Sequence, residues 1–233
     1  MHAIQSMIGS VAKGLGVIRV LDVGCGDGFI CRELSRRADV QVVDGVDVNL
    51  TEQEVDALRR KDDKVVYYNA YRDLPPGRYN LVLLMDVLEH VQEDNRFLAE
   101  VVNRYLAKGG HLIVTVPAFP FLYSRHDAYL AHYRRYGRKQ LVRLVRDSNL
   151  FCMRSGYLFL SLLPIRLAEV LRERITDCES EGIRGVGGWT YGKLLTLAAV
   201  AILRCENRLS LLLNSLGVRI PGLTTWAVCK KPA

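Results

Sequence analysis

A doubly wound, mostly parallel α/β sheet of seven strands is the fold the sequence predicts, and three observations carry the prediction. Short apolar runs rich in β-branched residues alternate with helix-length segments through the first half of the chain. The first run ends in a glycine-rich turn, Gly24-Cys25-Gly26-Asp27-Gly28, that opens a helix. After Pro117 the rhythm breaks, and two largely apolar helices precede a last strand-like run. Strands that alternate with helices in this way pair in parallel through right-handed crossovers.

Each element has its own signal. Residues 17–23 read as a buried strand ended by glycines, 29–37 as a helix and 40–48 as the second strand. Thr51-Glu52-Gln53-Glu54 is a capping box: the Thr hydroxyl and the Glu54 carboxylate satisfy two orphan amides at the start of the next helix. Residues 65–69 form a short third strand, Pro75, Pro76 and Gly77 a turn, and 79–85 the fourth strand. A helix from 93 to 107 is expected to stop at Gly109-Gly110, a C-cap signal, before a fifth strand at 111–116 that Pro117 ends. Residues 118–137 read as an aromatic, basic loop, 139–147 as a helix and 151–159 as a sixth strand. The apolar helices span 160–174 and 191–213, joined by a glycine-rich linker at 176–188, and 223–229 alternates as the last strand. The expected organisation is a core over 1–160, a helical lid or interface insertion over 161–220, and a final core strand within 221–233.

Composition narrows the function classes. The chain has 233 residues, of which 49% are hydrophobic and 24% charged, which excludes a disordered or collagen-like protein. Its 6 cysteines include no C-x-x-C pair, so no zinc ribbon or redox dithiol is written here, and scattered single cysteines suit a cytoplasmic setting. No secretory signal opens the chain, and the apolar run at 194–203 falls short of the ~20 residues that span a bilayer. The net charge of +7 is uneven: roughly −3 over residues 1–120 and roughly +10 over 121–233. An anionic surface or substrate is therefore expected to meet the second half, and peripheral contact with the inner face of a membrane stays open.

The glycine turn is the sharpest functional signal. Its spacing is Gly-x-Gly-x-Gly, not the Gly-x-Gly-x-x-Gly of a dinucleotide site, and Asp27 stands inside it. A carboxylate there repels a pyrophosphate but favours a ligand that carries sulfonium and ammonium groups. Asp47 follows about 20 residues later at the end of the second strand, where a carboxylate accepts ribose hydroxyls.

In these pieces the chain resembles class I S-adenosylmethionine-dependent methyltransferases, of the broad group acting on small molecules and lipids. The matching segments are residues 20–28, Gly45-Val46-Asp47, Asp73-Leu74-Pro75, the run 79–85 with Asp86-Val87-Leu88-Glu89-His90-Val91, and Leu106-Ala107-Lys108-Gly109-Gly110. The resemblance implies a Rossmann-like methyltransferase fold and S-adenosylmethionine as cofactor, with S-adenosylhomocysteine as product. It implies that Gly24, Cys25, Gly26 and Gly28 border the methionine and ribose and that Asp22 orients the loop. Asp47 would take the ribose hydroxyls, and Val48 or Asn49 would flank the adenine. Asn69-Ala70 stands where many relatives carry an Asp, so Asn69 would supply an amide instead; Met85 and Asp86 would line the cofactor from the fourth strand.

The loops after the fourth and fifth strands would face the methyl group. The first supplies Asp86, Glu89 and His90, and the second Tyr123, His126, Asp127, His132, Tyr133, Arg134, Arg135 and Tyr136. His126 or His132 is the expected general base, because imidazole titrates near neutrality. Arg134-Arg135 is the expected clamp for an acidic group on the acceptor, with Tyr123, His90 and Tyr136 beside it. Asp86-x-x-Glu89-His90 with a later His has the ligand types of a hard-metal site, but the same pattern starts a helix in relatives without metal, and no metal ligand is assigned. The expected reaction is methyl transfer to an oxygen (or nitrogen) of a small-molecule, glycan or lipid-linked acceptor, by a monomer or homodimer. The alternative is an RNA methyltransferase that uses the basic half, although no RNA-binding module is present.

Overall fold

The apolar runs become the strands of a single sheet in the computed structural model, which describes residues 1–60, 62, 64–176 and 192–233. These are β1 (Ile18–Val23), β2 (Val40–Val46), β3 (Val65–Tyr68), β4 (Tyr79–Met85), β5 (Leu106–Pro117), β6 (Phe151–Leu158) and β7 (Thr224–Lys230). Their spatial order is β3-β2-β1-β4-β5-β7-β6. The first five pair in parallel, and β7 runs antiparallel to both β5 and β6. The order reverses at β1, so the carboxyl ends of β1, β2 and β4 frame a crevice where an open α/β sheet binds its ligand.

Helices cover both faces. On one side lie α1 (His2–Ala12), α2 (Phe29–Ser35) and α3 (Glu52–Arg59), with Ile8, Val20, Val43 and Leu83 at the centre of the apolar layer. On the other lie α4 (Asp94–Arg104) and α6 (Arg138–Asp147), around Leu84, Leu98, Val114 and Leu141. The capping box at Thr51 and Glu54 is formed as its sequence predicts. Between β5 and α6 a short α5 (Arg125–Tyr129) interrupts the expected loop, and its Ser124 and Asp127 make a second capping box. The long helices α7 (Leu162–Thr176) and α8 (Lys193–Ser215) join β6 to β7. The linker expected at 176–188 lies outside the described residues beyond its first position.

Two elements depart from the sequence reading. Helix α4 ends at Arg104, and the chain is already strand at Leu106, so Gly109-Gly110 is no helix cap. The register shows why: Tyr79 pairs with Leu106 but Leu81 pairs with His111, so residues 107–110 form a bulge. Gly109 adopts φ +72° there and donates its N–H to Lys231 O at 3.1 Å. The second departure is α1, which the sequence reading left without structure. Met7, Ile8 and Val11 are its buried face, a helical spacing too short to stand out.

Candidate active site

The turn after β1 is shaped by its glycines for two different reasons. Gly28 has φ +71°, and a Cβ there would lie 2.7 Å from Cε1 of the buried Tyr67, so packing against β3 demands glycine. Gly26 has φ +50°, yet a Cβ there would meet no protein atom within 4 Å. Open space beside a left-handed backbone is where a ligand can approach the chain. Within the turn, Asp27 Oδ1 accepts the N–H of Phe29, the first residue of α2, at 3.0 Å. A helix end already holding a carboxylate has little to offer a diphosphate.

Asp47 ties the first two loops together. Its Oδ2 accepts the N–H of Gly26 at 3.1 Å and its Oδ1 accepts the N–H of Asn49 at 2.9 Å, while the residue stays partly open to solvent. Val48 is exposed beside it, and Asn69-Ala70 is partly exposed at the end of the neighbouring β3. Asp22 is buried beneath the turn, where its Oδ2 accepts from the Cys31 thiol at 3.3 Å and its Oδ1 has no partner. Burial pushes its carboxyl up to about 7. Cys25 is also buried, and its N–H goes to Val46 O, so it braces the turn from inside. At the tip of β4, Asp86 has φ +54° and accepts from the Thr115 hydroxyl at 3.1 Å. Met85, Asp86 and Thr115 open into a cavity of about 930 Å³ between α1, α2 and α8.

The loops after β4 and β5 meet around one carboxylate. Asp127 is fully buried; its Oδ1 takes Nε of Arg135 at 2.7 Å and Nδ1 of His132 at 3.1 Å, and its Oδ2 takes a guanidinium nitrogen of Arg166 at 3.1 Å. Burial alone would raise this carboxyl, but the His132 hydrogen bond and the two guanidinium groups hold it well below the ordinary range. With Nδ1 turned to Asp127, Nε2 of His132 is the nitrogen left for chemistry. The His132 ring stands edge-on to that of His90, with centroids 4.6 Å apart. Both line a cleft of about 490 Å³ together with Asn49 and Tyr123, whose hydroxyl donates to His132 O at 2.8 Å. Asn49, whose N–H goes to Asp47, also lines this cleft.

Glu89 lies beneath this pair. It is fully buried, and neither carboxylate oxygen has a partner. Burial and the nearby Asp86 push it up to about 9. Ligand atoms of Glu89, His90 and His132 fall within 4.8 Å of one another, so a carboxylate and two imidazoles converge on one point.

The structure divides the expected acceptor contacts. His90, His132 and Tyr123 come together at the cleft. His126 does not join them: it is partly buried toward α7, where burial and Arg166 lower its pKa. The expected clamp of Arg134 and Arg135 is not formed. Arg135 is only 6% exposed and locked on Asp127, while Arg134 is committed to Asp94 at 3.1 Å and Gln92 O at 2.6 Å. Tyr136 is fully buried, with its hydroxyl donating to Asp94 at 2.8 Å. These three scaffold the loop through buried acids, Asp127 for Arg135 and Asp94 for Arg134 and Tyr136. Glu89 and Asp127 were expected on these loops but without an assigned role, and Arg166 was not expected at the site. An isolated acid in a basic loop, and an arginine on a helix, look like surface residues in sequence.

A family model described as a methyltransferase domain, Methyltransf_23, matches residues 8–152, more than half of the chain. The chain belongs to this methyltransferase family. Membership implies use of S-adenosylmethionine. Among curated proteins, the mitochondrial ubiquinone biosynthesis O-methyltransferase of Candida albicans is 37% identical over 105 residues, covering 42% of this chain and 32% of its own length. The ubiquinone biosynthesis O-methyltransferase of Acinetobacter baylyi is 32% identical over 110 residues, covering 43% and 44%. The matches thus span less than half of these relatives. Among solved structures, an S-adenosylmethionine-dependent methyltransferase from Mesorhizobium loti aligns with a TM-score of 0.57 at 14% identity, covering 98% of this chain and 100% of that one. The YcgJ protein of Bacillus subtilis aligns with a TM-score of 0.58 at 14% identity, covering 98% and 99%. At such identities these structures share the fold. Among the described residues, no helix is long and apolar enough to cross a membrane.

Proposed function

We propose that this chain transfers the methyl group of S-adenosylmethionine to an oxygen of a small-molecule or lipid-linked acceptor, with His132 as general base. The observation that carries the reading is His132, held by Asp127 and lining one cleft with His90 and Asn49, whose N–H is bound by the same Asp47 that takes the N–H of Gly26. Asp47 would hold the ribose, Val48, Asn69 and Ala70 the adenine edge, and Gly24, Gly26, Met85 and Asp86 the methionine end. The acidic lining (Asp47, Asp86, and Asp27 in the turn) suits a cationic sulfonium and disfavours a diphosphate.

Methyl transfer from a sulfonium is an in-line displacement with a good leaving group. Alignment of oxygen, carbon and sulfur supplies most of the acceleration. The acceptor hydroxyl must lose its proton as the O–C bond forms, and Nε2 of His132 receives it. Asp127 fixes the tautomer and stabilises the imidazolium. An oxygen acceptor is favoured because the relatives named above, 37% and 32% identical over 105 and 110 residues, are O-methyltransferases. The basic second half alone favours an RNA acceptor less, since Arg134, Arg135 and Arg166 are spent on internal carboxylates.

A second reading concerns the same cleft. Glu89, His90 and His132 have the donor set and convergence for a divalent cation, and the two unpartnered oxygens of Glu89 fit that role. A cation held there would polarise the acceptor oxygen and lower its pKa.

The test is turnover of methyl-labelled S-adenosylmethionine against phenolic and lipid-extract acceptors. Label transfer to an ether oxygen in wild type, and its loss in His132→Ala with cofactor binding retained, supports the proposal. Transfer only to RNA, or full activity in His132→Ala, overturns it.

A further inference from the structure

Helix α8 is amphipathic in the inverse sense. Its polar face is turned inward and hydrogen-bonded: Asn207 accepts the N–H of Phe159 at 2.9 Å, Ser210 donates to Tyr157 O at 2.7 Å, and Asn214 donates to Ser155 O at 2.8 Å. Of its 23 residues, Asn207 and Leu211 are the buried ones. The opposite face carries Leu195, Ala198, Ile202, Cys205, Leu209, Leu212 and Leu216, and every one of these is exposed. A helix that spends its polar side on its own protein and leaves its apolar side outward is waiting for a partner.

The spacing says which kind. The stripe advances by three and four residues alternately, a seven-residue repeat kept over three turns of the pattern with no polar residue in it. On a straight α-helix a seven-residue repeat drifts only about 20° per heptad, so over this length the stripe keeps to one side and matches the seam by which two helices with the same repeat pack. Leu195 is 60% exposed, Ile202 56%, Leu209 51%, Leu212 60% and Leu216 72%. With Leu194 and the smaller residues between them, they present an apolar area on the order of the roughly 800 Å² that each partner of a stable complex buries. Arg204 and Arg208 edge the stripe on one side only, and on the other Glu206 turns inward to accept the N–H of Ser161 at 3.0 Å, whereas a helix resting on anionic lipid carries cations along its polar margins. The same stripe on a second copy is the self-complementary surface that twofold symmetry supplies.

We propose that the outer face of α8 is the seam of a homodimer, in which α8 of one chain packs against α8 of a second copy. The inner face of the same helix, through Val200, Leu203 and Asn207, covers the cavity of about 930 Å³. Dimerisation would therefore fix the wall of that cavity in both subunits. The inference does not depend on which acceptor is methylated.

Light scattering on the intact purified chain tests it, with chemical cross-linking as a second measurement. The expected mass is twice the 26.3 kDa of one chain. The double variant Ile202→Glu, Leu209→Glu changes only exposed positions and is expected to run at the mass of one chain with an unchanged circular dichroism spectrum. A short bismaleimide is expected to link two chains through Cys205, at the middle of the seam, and to fail in Cys205→Ser. A wild-type chain that stays monomeric at every accessible concentration overturns the proposal. So does a dimer that the double variant leaves intact, or a monomer that sediments with phosphatidylglycerol vesicles through the same stripe.

Discussion

Nδ1 of His132 lies 3.1 Å from Oδ1 of Asp127, and the same oxygen takes Nε of Arg135 at 2.7 Å. One buried carboxylate therefore orients the proposed base and anchors the loop that carries it. Replacing His132 by Ala should lower kcat by about 10²–10⁴ and leave cofactor affinity within a few-fold. His126→Ala should keep most of the activity, because His126 turns toward α7. Steady-state kinetics of both variants, with cofactor affinity measured separately, check this.

Asp127 itself should matter first for stability. Its removal leaves Arg135 and Arg166 charged, buried and without their shared partner. Loss of one member of a buried ion pair costs about 3–5 kcal/mol. For a chain of this size Asp127→Ala should lower Tm by at least about 6 °C, which differential scanning calorimetry reads directly.

The two glycines should fail differently. Gly28→Ala forces a Cβ into Tyr67 at a left-handed backbone, so it should destabilise the fold by clearly more than the left-handed penalty of about 1–2 kcal/mol alone. Gly26→Ala meets no protein atom within 4 Å, so its stability cost should stay near the left-handed penalty of about 1–2 kcal/mol. Its main effect should be a cofactor Kd weakened at least tenfold. Denaturant titration and calorimetry on the pair separate the two outcomes.

Asp22 gives a pH signature. Its carboxyl titrates near 3.8 in the ordinary case and is pushed up to about 7 in the fold. Between those values the folded chain holds a proton that the unfolded chain has released, so stability must fall as pH rises from about 4 to about 7. The integrated contribution is about 4 kcal/mol. Asp22→Asn, which cannot ionise, should flatten that slope in urea titrations run across the window. An unchanged slope would show that Asp22 is not its source.

The cation reading of the cleft has its own test. Calorimetric titration of the wild-type chain with Mg²⁺, Mn²⁺ and Zn²⁺ should show a site that Glu89→Gln abolishes. Glu89→Gln keeps the shape of the side chain, so loss of cation binding with an unchanged Tm would identify the carboxylate as a ligand. Equal binding by both proteins would remove Glu89 from that role.

The centre of the parallel sheet was legible because β1, β4 and β5 are buried on both faces over most of their length and read as continuous apolar runs. The glycine turn, Asp47 and the tip of β4 were legible because backbone geometry restricts the residues that fit there. The end of α4 was not, since Gly109-Gly110 serves equally as a helix cap or as a bulge, and only the pairing with Tyr79 and Leu81 decides. The arginines of the loop after β5 were misjudged for an electrostatic reason. A charge run is solvated or clamped according to the acids that fold against it, and Asp94 and Asp127 lie 40 and 8 residues away from Arg134 and Arg135 in turn. His132 and His126 are six positions apart in sequence and differ in role only through the turn of α5.

The most direct test of the account is isothermal titration of the folded wild-type chain with S-adenosylhomocysteine. The account predicts saturable heat for one site per chain, lost in Asp47→Ala and undiminished by added pyrophosphate. A folded chain that gives no heat with this nucleoside, or one in which pyrophosphate competes for the site, would contradict it.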